Sequence, residues 1–82
     1  MTHEEATIKF ISQKNSNLVL EISNKKTGAI GRFRFYKPLE SLTVYFEGSS
    51  KPKVDACVFR MTDLCLYVER NAAWIYQANK RK

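Results

Sequence analysis

The sequence predicts an all-β fold, a small antiparallel meander of six to seven strands curled into a barrel or sandwich. Three observations carry that expectation. Apolar and polar residues alternate at period two through most of the chain. The alternating runs are filled by Val, Ile, Phe, Tyr and Thr, whose branched or flat side chains suit a pleated surface. The gaps between runs are short and rich in turn residues, so successive strands pair as neighbours. With only 82 residues there is room for one domain, and its sheet must curl to bury one face.

The strands follow in order. Ile8-Lys9-Phe10-Ile11 opens the first, after a frayed terminus at residues 1–5. Leu18, Leu20 and Ile22 mark one face of the second. Gly31 to Tyr36 forms the third, with Phe33 and Phe35 opposed to Arg32, Arg34 and Tyr36. Leu42 to Glu47 forms the fourth, Asp55 to Met61 the fifth and Leu64 to Glu69 the sixth. Ala73 to Gln77 gives a seventh strand, although Asn71 as an N-cap and the closing cations also permit a C-terminal helix there. Alternation places Ile8, Phe10, Leu18, Leu20, Ile22, Phe33, Phe35, Leu42, Val44, Phe46, Phe59, Leu66 and Val68 inside. The single domain then spans 1–79, with 80–82 as a basic tail.

Turn residues fall between the runs. Gly28 suits a positive φ, and Gly31 a bulge or a close approach. Gly28-Ala29-Ile30-Gly31 has the spacing of loops that clamp nucleic-acid backbone, but it stands between strands rather than helices, which favours the turn reading.

A hairpin turn at Thr62-Asp63 sets the cysteine expectation. Cys57 then faces Val68, and Cys65 lies on the other face, about 10 Å along the ladder. That exceeds the roughly 7 Å Cα separation a disulfide spans, so two free thiols are expected. With His3 the sole histidine, no metal site and no cofactor are expected. The acids are spaced singly and no nucleophile–base pair can be assembled, so the chain reads as no enzyme, with no small-molecule substrate.

The chain carries fourteen Lys and Arg against eight Asp and Glu, a formal charge of +6. Removing Lys80, Arg81 and Lys82 leaves +3. No acid falls between Glu21 and Glu40, whereas Lys25, Lys26, Arg32, Arg34 and Lys37 do. This excludes an acidic DNA mimic and favours an acidic partner. No apolar run, Leu64 to Val68 included, exceeds five residues, far short of the roughly 20 of a membrane helix. With no basic, apolar leader in the opening residues, the expected setting is cytoplasmic, with no membrane contact.

Two surfaces stand out. Loops after the second, fourth and sixth strands share one rim, which collects Lys25, Lys26, Lys51, Lys53 and Arg70. The outer sheet face collects Arg32, Arg34, Tyr36, Tyr45, Arg60, Tyr67 and Trp74. The sequence therefore implies a small non-catalytic binder that docks this rim and face on an acidic protein or nucleoprotein. It would be of inhibitor or assembly-factor type, a kind that phages and mobile elements encode. The alternative is a nucleic-acid-binding β-barrel that stacks bases on the aromatics and neutralises phosphates with the cations.

Overall fold

A hairpin begins the sheet. β1 (Ala6–Lys14) and β2 (Asn17–Asn24) are joined at the Lys14–Asn17 pair by Asn15 and Ser16. Asn15 takes a positive φ of 56°, a conformation its short polar side chain tolerates. β3 (Ile30–Tyr36) and β4 (Thr43–Phe46) complete an antiparallel sheet of order β1-β2-β3-β4. The computed structural model describes residues 1–38, 40–47 and 62–81. Among these residues the sheet is four-stranded and open, so the expected closure into a barrel is not found.

The remaining described residues are helical. α1 (Thr62–Arg70) and α2 (Ala72–Asn79) replace the expected sixth and seventh strands, and the alternative helix over the last segment is the one adopted. The physical reason is a second periodicity in the same letters. Leu64, Cys65, Val68, Ala72, Ile75 and Tyr76 recur at helical spacing, giving one apolar stripe across both helices. Asp63 in the first turn and Arg70 in the last complement the α1 dipole. The fifth strand, with Cys57, Phe59 and Arg60, lies outside the described residues.

This helix also overturns the thiol expectation. The ladder that separated the cysteines does not exist where α1 stands, and Cys65 is disulfide-bonded.

The helices cover one face of the sheet. Leu18, Leu20, Ile22, Phe33, Phe35 and Val44 form one buried cluster with Leu64, Cys65, Tyr67, Val68, Ile75 and Tyr76. Ile8, Phe10, Leu42 and Phe46 pack against its margin, half-buried. Leu66 is only half-buried, whereas Cys65 and Tyr67, which alternation had put outside, are buried. A helix rotates successive side chains by about 100°, so a two-residue rule misplaces them. Gly31 is a close approach: a Cβ there would lie 2.9 Å from the Phe33 ring and 3.2 Å from that of Phe46.

A bulge shapes β1. Phe10 pairs with Leu20 and Ser12 with Val19, leaving Ile11 as the extra residue. The parity of the strand changes there, so Gln13, opposite the core residue Leu18, faces the helices. Its amide Nε2 donates to the carbonyl of Arg81 and its Oε1 accepts from the Arg81 N–H. The Arg81 guanidinium stacks over Phe10, 4.4 Å from the ring centroid. Arg81, the middle residue of the expected basic tail, is thus hydrogen-bonded to the sheet.

Candidate functional site

The sheet face turned away from the two helices follows from strand register. Residues paired across antiparallel strands share a face, and three rows result. Lys9 pairs with Glu21 and Glu21 with Arg32; beyond Arg32, whose carbonyl accepts from the Glu47 N–H at 2.9 Å, lies Glu47. The second row runs Ser12, Val19, Arg34, Tyr45, and the third Lys14, Asn17, Tyr36, Thr43. Arg34 therefore sits at the centre, between Val19 and Tyr45 across the strands and between Arg32 and Tyr36 along β3.

Both arginines hold carboxylates. Arg32 reaches Glu21 at 3.7 Å and Arg34 reaches Glu47 at 3.2 Å. Their side chains remain about half exposed, at 51% and 50%. Tyr36 is also exposed and Tyr45 half-buried. The structure thus brings together four of the seven expected face residues: Arg32, Arg34, Tyr36 and Tyr45. Glu21 and Glu47 belong with them; alternation through β2, and through β4 to the residue just past its end, was the signal that places both outside.

Tyr67 and Trp74 do not join this face, because they stand on the helices that cover the opposite one. They share a neighbour instead, because the ring of His3 contacts both. The α1–α2 junction keeps helical hydrogen bonds, from the Asn71 N–H to Tyr67 O at 3.0 Å and from the Ile75 N–H to Asn71 O at 2.9 Å. Asn71 does not cap α2 with its side chain; its Nδ2 donates back to Tyr67 O at 2.9 Å. His3 closes the group. Its Nδ1 shares a 2.6 Å hydrogen bond with the Tyr67 hydroxyl, and its ring lies 4.4 Å from that of Trp74. His3 makes these contacts from within the terminus that was expected to fray. Burial raises the Tyr67 phenol above its ordinary pKa.

The basic rim is partly described. Lys25 and Lys26 are exposed on the β2–β3 turn. Asn24, buried beneath them, builds that turn: its Oδ1 accepts from Lys26 N at 2.9 Å and Thr27 N at 3.3 Å. Gly28, at φ 78°, supplies the left-handed residue. The Lys25 N–H donates to Glu5 O at 2.8 Å. The N-terminal turn that carries Glu4 and Glu5 therefore stands beside Lys25, and its His3 touches the end of α1 near Arg70. The sequence counted loops and overlooked that the chain also enters at this rim, so acids stand where only cations were expected. Lys51 and Lys53, like Arg60, lie outside the described residues.

Among the described residues no group of three or more His, Cys, Asp or Glu is placed to hold a metal ion, and no helix is long and apolar enough to cross a membrane. An open, antiparallel β-meander covered on one face by two short helices is the class of structure defined here. No family model, no curated protein and no solved structure matches the chain.

Proposed function

We propose that this chain is a small non-catalytic binding protein that docks its outer sheet face on an acidic macromolecular partner, a protein or nucleoprotein. One observation carries the reading: Arg34 stands at the centre of an exposed face with Tyr45, Tyr36 and Arg32 around it. Arg and Tyr are the residues that anchor protein interfaces, because each combines a large flat contact area with directed hydrogen bonding. Lys25 and Lys26 flank the face on a turn held by Asn24, and steer an acidic partner toward it. Occupying such a partner's surface is how an inhibitor or assembly factor acts.

The test is capture from the native host lysate with and without nuclease. A partner retained by the wild type after nuclease treatment, and lost with Arg34→Ala or Tyr45→Ala, supports the reading. Equal capture by both variants removes it.

Nucleic acid is the second reading, favoured by the same arginines on a sheet whose β2–β3 turn carries two exposed lysines. If Lys25, Lys26, Arg32 and Arg34 all neutralise phosphates, log K falls with log salt at a slope of about −3 to −4. Binding to mixed oligonucleotides that is absent at about 50 mM salt removes it.

A cytoplasmic site of action, the setting read from the sequence, stands against the disulfide at Cys65. Disulfides are rare in reducing cytosol, so the redox state of Cys65 in protein taken from cells under acid quench tests the compartment directly.

A further inference from the structure

We infer that Glu21 and Glu47 are built-in stand-ins for the partner's own carboxylates, and that docking exchanges them. The inference rests on the sheet face being the binding surface, and it specifies the partner: a protein segment carrying carboxylates with cations beside them.

The chemistry of the ligand is already displayed. Each guanidinium holds one carboxylate, at 3.7 Å for Arg32 and 3.2 Å for Arg34. Both pairs lie at the surface, with the arginines exposed and the glutamates half-buried, so each contributes little to stability and can be replaced. A carboxylate delivered by a partner can meet the same guanidinium through both of its oxygens, the bidentate geometry that makes such pairs stronger.

Spacing selects the shape of the incoming segment. Arg32 and Arg34 are two residues apart on β3, hence about 6.6 Å apart along it. Carboxylates on alternate residues of an extended peptide have the same separation. Such a segment presents both to the two arginines at once.

Charge selects protein over nucleic acid. The row Lys9, Glu21, Arg32, Glu47 alternates in sign. Once displaced, Glu21 keeps Lys9 across the strands, whereas Glu47 needs a cation to face. A protein segment supplies lysines or arginines next to its acids; a phosphate backbone supplies none and is repelled by both glutamates.

The experiment uses the full chain and two fluorescent synthetic peptides, read by anisotropy at low salt. One alternates Glu and Ser; the other is the same peptide flanked by lysines. The wild type is expected to bind the lysine-flanked peptide about threefold more tightly. Glu21→Gln with Glu47→Gln is expected to bind the unflanked peptide about fivefold more tightly than the wild type, because the competing carboxylates are gone. The same double variant loses the preference for flanking lysines.

Glu40→Gln with Glu69→Gln changes net charge equally and serves as the control, with a gain under about twofold. Equal gains in both double variants reduce the effect to bulk charge and overturn the inference. Tighter wild-type binding to a single-stranded oligonucleotide of equal length overturns the choice of protein. The surface reading fails separately: if Arg32→Gln with Arg34→Gln leaves peptide binding intact while Lys25→Gln with Lys26→Gln abolishes it, the sheet face is not the site.

Discussion

The two faces of the sheet are made by the same strands and obey different physics. On β3, Phe33 and Phe35 are fully buried, while Arg32, Arg34 and Tyr36 between and beside them stay at the surface. One face derives its energy from apolar area removed from water, roughly 25 cal/mol per Å². The other is held by exposed ion pairs, whose typical worth is about 0–1 kcal/mol each. Neighbouring residues on a single strand thus divide stability from recognition, and substitutions should separate the two.

The largest effect belongs to the covered face. Phe33→Ala removes a buried ring that contacts Phe46 edge-on at 5.5 Å, and should cost about 3–5 kcal/mol in urea unfolding. An unchanged midpoint would mean the helices do not pack as described. Gly31→Ala comes next. Its new methyl meets the Phe33 and Phe46 rings, and a loss of about 1–3 kcal/mol is expected from the repacking.

The helical side of the same core adds a pH test. Burial holds the Tyr67 phenol neutral above its ordinary range. The unfolded chain releases that proton first as pH rises, so the stability contribution is full below about pH 10 and is lost as pH climbs through the raised folded value. Denaturation midpoints taken through alkaline pH should fall in the wild type, and Tyr67→Phe should remove that component of the fall. A parallel decline in both proteins would assign it elsewhere.

The smallest stability effect is expected from the open face. Arg34→Ala breaks the pair with Glu47 and should change folding stability by at most about 1 kcal/mol, while removing the centre of the proposed contact surface. A loss as large as that of Phe33→Ala would erase the division between the faces.

How much of this was legible in the sequence depends on which periodicity governs each region. From Ile8 to Phe46, alternation alone placed Leu18, Leu20, Ile22, Phe33, Phe35 and Val44 inside and Arg32 and Arg34 outside. It succeeded because a half-buried antiparallel sheet is the structure that period two describes. Leu64 to Glu69 satisfied that same pattern and folds as a helix. A run of six apolar-rich residues fits both periods; the arbiter is its continuation through Ala72, Ile75 and Tyr76, visible only when both segments are read as one stripe. Of the candidate site, the arginine–tyrosine face follows from alternation, whereas its pairing with Glu21 and Glu47 needs the register of three strands. The His3 contact with Tyr67 and Trp74, 64 residues away in sequence for Tyr67, has no local signature at all.

The extra residue at Ile11 has a bearing on how the protein behaves in a crowded solution. β1 and β4 are the outer strands of the described sheet, and β1 is the longer, nine residues against four. A long straight outer strand offers unpaired backbone groups to any passing chain, the usual start of edge-to-edge aggregation. The bulge interrupts that template in its middle, and Lys9 and Lys14 bracket it with like charge. Deleting Ile11 would leave Ser12, Gln13 and Lys14 on their present faces yet give an unbroken edge. The shortened protein should self-associate at concentrations where the native chain stays dispersed, as light scattering would report.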